Sequence, residues 1–288
     1  MNHTFVKYHG AGNDFILFDT NSSPPTTSVA QPPWQSACKK LCNRHTGIGA
    51  DGLLLVSPDP HAHARMTVYN ADGTRPEMCG NGLRCVAMHL ASRLRNEPQS
   101  ITIDIATDDG LKSCLVHLDP SSPEAQVHSE LGSATQPRPV VVSLSDRPIH
   151  LHATEIGNPH AVVLNPPRDL SFEQVAPILA THPSFPNGAN ISFASHLAQL
   201  ADPNGPKIEL QVRVWERGVG PTLACGTAAC AVAAVAVHSR LATPGCPIPI
   251  HLPGGTLHAT TTSDLRVSLA GPARRVFQGV VDLRDFLS

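Results

Sequence analysis

Apolar positions fall in short runs closed by glycine, proline, asparagine or aspartate, some alternating with polar positions and some continuous, the patterns of strands with one face or both faces buried. In the first half, Val6–His9, Phe15–Phe18, Leu53–Val56, Arg65–Tyr69, Ile101–Ile105, Leu111–Leu118 and Ala125–His128 predict strands. In the second half, Ala161–Leu164, Ile208–Trp215, Pro247–Leu252, Thr256–Thr262 and Leu265–Leu269 do so, and the tail Val276–Leu283 is expected to cross back to the first half. Helical spacing predicts Gln35 to about Asn43, the segment after Cys79, Phe172–Ala180, and Gly226 to about Leu241. The second helix places Leu83, Val86, Ala87, Leu90, Ala91 and Leu94 on one face and stops before Pro98. The last is almost all Ala and Val up to His238, and a helix apolar on every side is buried on every side. Residues 20–33 read as a Pro/Ser/Thr-rich surface loop, and Gly132–Pro139 as the linker between halves.

The pattern also repeats. Tyr69-Asn70-Ala71-Asp72-Gly73 leads to Cys79-Gly80, and Trp215-Glu216-Arg217-Gly218 leads to Cys225-Gly226, each Cys ten residues after the aromatic and 146 residues from its copy. Each Cys-Gly follows a strand-like run and opens a helix with a second cysteine inside it, Cys85 or Cys230. Gly157-Asn158 lies 145 residues after Gly12-Asn13, and Gly188-Ala189-Asn190 loosely echoes Gly49-Ala50-Asp51. The expected fold is α+β with α/β-type halves: two pseudo-symmetric domains, each a mostly antiparallel sheet wrapped around a central helix. The domains are expected at 1–135 plus 274–288, carrying Cys79, and at 136–273, carrying Cys225, with the site in the cleft between them.

Composition narrows the function. Hydrophobic content of 41% and charged content of 15% fit a globular chain, and 288 residues suffice for two cores. A net charge of −2 without basic runs argues against nucleic acid and anionic membrane as partners. The longest apolar run, Ala228–Val237, is too short to span a bilayer, and the N-terminus lacks signal-peptide regions, so a cytoplasmic protein with reduced cysteines is expected. His61-x-His63 and His150-x-His152 lack companion ligands, and no metal is expected. Gly47, Gly49 and Gly52 match a dinucleotide fingerprint by spacing but precede a strand, the wrong order, and read as a glycine turn or a backbone loop open to a small ligand. None of the five lysines sits in a glycine-rich loop, which disfavours pyridoxal phosphate; no cofactor is expected.

The two Cys-Gly helix starts carry the chemistry. The first turn of a helix offers unpaired N–H groups and the positive end of the dipole, which bind a carboxylate and favour a thiolate. Two such starts facing one another, with N–H groups from Gly80, Asn81, Gly226 and Thr227, would hold one carboxylate between two sulfurs. That suits inversion of the neighbouring carbon: one thiolate removes a proton from one face while the other thiol delivers one to the opposite face. Cys38, Cys42, Cys85, Cys114, Cys230 and Cys246 read as small buried hydrophobes. A disulfide or a redox pair of Cys79 and Cys225 is the sober alternative.

At these residues the chain resembles the diaminopimelate epimerase family. The resemblance runs from His9-Gly10-Ala11-Gly12-Asn13-Asp14-Phe15 to Gly271-Pro272-Ala273 and Gly279. It is most specific at Tyr69–Gly73, Met78–Cys85, Gly157-Asn158-Pro159-His160, Glu216–Gly220 and Ala224–Thr227. It implies cofactor-independent interconversion of LL- and meso-2,6-diaminopimelate in lysine and peptidoglycan precursor synthesis, with Cys79 and Cys225 as the acid–base pair. It implies substrate contacts from Asn13, Asn70, Gly80, Asn81, Asn158, Asn190, Glu216, Arg217, Gly226 and Thr227, with His160 and Glu216 tuning the thiols, and a homodimer. Arg217 would meet the far carboxylate. Gly52 departs from members with glutamine there, and Pro221 and Ala228 from members with Glu and Gly. The rival readings are a proline-type racemase of the same fold and a non-catalytic amino-acid-binding protein.

Overall fold

The computed structural model describes residues 2–20, 33–94, 99–119, 121–144, 147–200 and 207–287. Most of the loop expected at 20–33, and the helix stop expected before Pro98, lie outside these residues. In chain order the elements are β1 (Asn2–Gly10), β2 (Asn13–Asp19), α1 (Trp34–Leu41), β3 (Gly52–Ser57), β4 (Ala64–Asn70), α2 (Gly80–Leu94), β5 (Gln99–Thr107), β6 (Gly110–Leu118) and β7 (Glu124–Ser133). There follow β8 (Arg138–Leu144), β9 (Arg147–Glu155), β10 (Pro159–Leu164), α3 (Phe172–Ala180), β11 (Asn190–Leu200), β12 (Lys207–Glu216), β13 (Gly220–Thr222), α4 (Gly226–His238), β14 (Ile248–Leu252), β15 (Gly255–Thr261), β16 (Arg266–Asp282) and α5 (Arg284–Leu287). The chain divides into a first unit, Met1–Ser129 with Gly271–Ser288, and a second unit, Glu130–Ala270.

Each unit is built on the same ladder. In the first unit the end of β16 pairs β1, and the order continues β2, β3, β4, β5, β6, β7. In the second the order is β8, β9, β10, β11, β12, β14, β15 and the start of β16. Both run antiparallel, antiparallel, parallel, antiparallel, parallel, antiparallel, antiparallel. Parallel neighbours need a crossover, and a helix supplies each: α1 and α2 in the first unit, α3 and α4 in the second. The repeat seen in the sequence is therefore a repeat of hydrogen-bond topology.

Burial explains why these residues form these elements. β3 is apolar at consecutive positions because both of its faces are covered. Leu54 and Val56 join the core around α2, while Leu53 and Leu55 join the core around α1. The apolar residues of α1, Trp34, Ala37, Cys38 and Leu41, recur at helical spacing and fill that second core. In the second unit Phe172, Ala176 and Leu179 of α3 pack with Ala161, Val163, Ile191 and Phe193. α4 is buried as its composition requires, against β15, β10, β11 and β9. Small side chains let strands approach the helix axis closely.

Several elements differ from the sequence reading. α2 is buried on all sides from Gly80 to Ala91, not on one face, and Leu94 is 53% exposed instead of joining the core. β7 and β8 run into both ends of the stretch read as a linker, and β8, β9 and β11 were not anticipated. The runs Leu265–Leu269 and Val276–Leu283 belong largely to one strand, β16. Cys246 is half-buried, not a core residue.

Candidate active site: a cysteine at each helix start

In the first unit Cys79 is half-buried and immediately precedes α2. The backbone N–H of Gly82 donates to its Sγ at 3.5 Å, so the opening turn points a donor at the sulfur. A Cβ on Gly82 would lie 2.8 Å from Leu54 Cδ2, so glycine lets α2 sit this close to β3. A Cβ on Gly80 would meet nothing within 4 Å, which leaves its backbone open on that side within the unit. Asn81 is buried, and its Oδ1 accepts from Arg84 Nη2 at 2.7 Å.

Asn13 and Asn70 stand at strand ends of the same unit. Asn13 follows the turn of Ala11 (φ 51°) and Gly12 (φ 81°) and donates from Nδ2 to Asp51 Oδ2 at 3.4 Å. That turn is braced by a charge network absent from the sequence reading. Lys7 pairs with Asp14 at 2.7 Å and also donates to the Gly49 carbonyl, and Arg44 bridges Asp14 and Asp51 at 2.6 and 2.8 Å. Burial works against the Asp14 carboxylate, but hydrogen bonds from Arg44 and Lys7 prevail and hold its pKa at about 2. Burial pushes Asp51 up. Asn70 donates to Thr74 Oγ1 at 2.9 Å, and its carbonyl accepts from Cys38 Sγ at 3.2 Å. The Cys38 and Cys42 sulfurs lie 3.6 Å apart.

In the second unit Cys225 is the N-cap of α4, with extended backbone, and is 7% exposed. Its Sγ lies 3.4 Å from Thr227 Oγ1. His160 is 1% exposed, and its Nε2 lies 2.8 Å from Asn158 Oδ1. Burial first, and the charge of Arg217 second, lower its pKa to about 3, so the imidazole is neutral at neutral pH. Asn190 is 3% exposed; its Nδ2 donates to the Pro159 carbonyl at 3.2 Å, and its Oδ1 accepts from the Arg217 N–H at 2.8 Å. Arg217 Nη1 donates to the Asn187 carbonyl at 2.5 Å, and Glu216 Oε1 accepts from Thr222 Oγ1 at 2.7 Å. A cavity of about 430 Å³ in this unit is lined in part by His160, Glu155, Thr154, Asn187 and Gly188.

The sheet register corrects one internal match. Gly52 pairs with Phe15 and Asn70, and Asn190 pairs with His160 one residue before the Ile191–Trp215 pair. Asn190 is thus the counterpart of Gly52, not of Asp51. A side chain at Gly52 would start 2.7 Å from the Tyr69 carbonyl, whereas Asn190 uses its side chain to hold Arg217.

Both units therefore carry, at equivalent positions of one ladder, a cysteine at the start of a buried helix. Solved structures share this fold. The chain superposes on a phenazine biosynthesis protein of the PhzF family from Bacillus anthracis with a TM-score of 0.70 at 16% identity, covering 98% of this chain and 99% of that one. It superposes on a probable proline racemase from Agrobacterium radiobacter with a TM-score of 0.69 at 15% identity, covering 98% and 93%. Sequence narrows the assignment: the family described as diaminopimelate epimerase matches residues 5–134 and 152–276. A diaminopimelate epimerase of Desulfitobacterium hafniense is 37% identical over 98% of this chain and 99% of that protein. One of Heliobacterium modesticaldum is 35% identical over 97% and 99%. The chain belongs to the diaminopimelate epimerase family.

Proposed function

We propose that this protein interconverts LL- and meso-2,6-diaminopimelate by a two-base mechanism in which Cys79 and Cys225 work on opposite faces of one carbon. The observation that carries this reading is the placement of each cysteine at the opening of a buried helix, at equivalent positions of two copies of one ladder. Family membership supplies the substrate. The thiolate on one side takes the α-proton; the thiol on the other gives its proton to the opposite face. The electron pair left on carbon delocalises into the substrate carboxylate, which N–H groups of Gly80, Asn81, Gly226 and Thr227 receive. No step needs a redox change or an added group.

The remaining residues select the substrate. Arg217, anchored through Asn187 and Asn190, meets the carboxylate of the distal amino-acid end. Asn13, Asn70, Asn158 and Glu216 supply donors and acceptors for the rest of it. His160 acts as a neutral imidazole, tuning a thiol by hydrogen bonding and not by charge. The protein works as a homodimer free of metal and cofactor in this reading. The test is epimerisation of LL-diaminopimelate by the reduced chain, with Cys79→Ala and Cys225→Ala each losing it. Full rate in either variant rejects that thiol, and turnover of proline in place of diaminopimelate rejects the substrate.

A further inference from the structure

The two helix starts are not chemically equal. With Cys79 matched to Cys225, Arg84 is the counterpart of Cys230, so the second cysteines Cys85 and Cys230 are one position out of step. Arg84 is fully buried at 0% exposure. Its Nη1 donates to the Gly80 carbonyl at 3.3 Å, its Nη2 to Asn81 Oδ1 at 2.7 Å, and its Nε to the Pro272 carbonyl at 3.3 Å. A Cβ on Gly10 would lie 3.2 Å from Arg84 Nη2 and from the Asn81 carbonyl, so the hairpin leading to Asn13 packs directly on this guanidinium. One rigid fork thus engages the opening turn of α2, the Asn81 side chain and β16. At Cys230 the thiol reaches the Ser268 carbonyl at 3.9 Å and brings no fixed charge into α4.

We propose that Arg84 is a positioning residue that makes the first half of the site unlike the second: it fixes Gly80 and Asn81 and sets a permanent positive charge beneath the helix start, biasing Cys79 towards thiolate. The role in turnover rests on the proposed function; the thiol bias does not. Burial pushes the thiols of Cys85 on α2 and Cys114 on β6 up to about 12, so both are neutral, and it pushes the Tyr8 hydroxyl up as well. Asp104 on β5 is felt at Cys114, and Asp19 on β2 and Arg275 on β16 are felt at Tyr8.

The test uses the full reduced chain, alkylated with iodoacetamide across pH 5–9, with each cysteine peptide quantified by mass spectrometry. Arg84→Met is expected to slow alkylation of Cys79 about tenfold at pH 7, a shift of about one unit in its midpoint, while Cys225 stays within about twofold. Arg84→Lys keeps the charge and restores most of that rate, but its single ammonium cannot hold Gly80 and Asn81 together, so kcat falls. An unchanged Cys79 profile, or equal slowing of both thiols, overturns the proposal. Should Arg84→Met not fold, the native protein decides: the Cys79 midpoint lies below that of Cys225, and an equal or reversed order overturns the proposal. If the native chain lacks epimerase activity, the proposed reaction fails while the alkylation result still reads the thiol bias.

Discussion

Replacing His160 with glutamine should change the pH dependence of stability more than stability itself. In the folded protein burial holds this imidazole at a pKa of about 3, against 6.5 for an exposed histidine. Above pH 6.5 the ring is neutral in both states and no proton linkage arises. As pH falls from 6.5 towards 3 the unfolded chain binds a proton that the folded one refuses, and stability is lost through that window. At pH 5 the loss is about 2 kcal/mol, from roughly 1.4 kcal/mol per unit over the one and a half units separating pH 5 from the unfolded value. His160→Gln forfeits packing and part of the bond to Asn158, about 1 kcal/mol at pH 7.5. The variant should therefore be less stable than the parent at pH 7.5 and more stable by about 1 kcal/mol at pH 5. Urea unfolding at pH 7.5, 6.5, 5.5 and 5 measures this directly. His3 and His152, also lowered chiefly by burial, titrate in both proteins and cancel. A difference that stays constant with pH would refute the neutral buried imidazole, and with it the claim that His160 acts on the thiol by hydrogen bonding.

Three further outcomes follow from the geometry. Asn190→Ala strips two buried hydrogen bonds, so it should cost about 2–3 kcal/mol and raise KM more than it lowers kcat, because Arg217 is loosened; wild-type thermal stability with lost activity would make Asn190 a substrate ligand only. Lys7→Met leaves the largely buried Asp14 carboxylate without one of its cations and should cost about 3–5 kcal/mol in chemical denaturation, less when combined with Asp14→Asn; equal losses would show that the ion pair is not what matters. Gly82→Ala drives a Cβ to within 2.8 Å of the fully buried Leu54, an overpacking of about 1–3 kcal/mol that the better helix propensity of alanine offsets by about 1, and Leu54→Val in the same chain should recover melting temperature and activity together.

Much of this architecture was legible because the apolar pattern was strong where burial was complete. Phe172–Ala180 and the Ala/Val run of α4 declared themselves, since helical spacing and small size have no other use there. β8, β9 and β11 were lost for a physical reason. Pro139 and the glycine-rich lead-in to Asn190 look like punctuation, yet proline is tolerated at the start of a strand and glycine just before one. α2 looked one-sided because Arg84 and His89 break the apolar pattern, but both are buried, Arg84 on carbonyls and Asn81, His89 against Tyr8 and Asp19. The motif cysteines, and Asn13 with Asn158, stood out as copies of one another. Lys7, Asp14, Arg44 and Asp51 did not, because the links from Asp14 to Arg44 and Asp51 join residues 30 and 37 positions apart that meet only when β2 pairs β3.

The central claim, one carbon worked on by two thiols, is tested most directly by the fate of solvent deuterium at early times. Each diaminopimelate stereoisomer is incubated in D₂O and stopped within the first few per cent of reaction, and substrate and product are analysed separately by mass and NMR. Two distinct acids predict deuterium at the inverted carbon of the product and none in the recovered substrate, from either direction. Label appearing equally in recovered substrate and product would mean a single group serving both faces, and would contradict the assignment of Cys79 and Cys225 as partners.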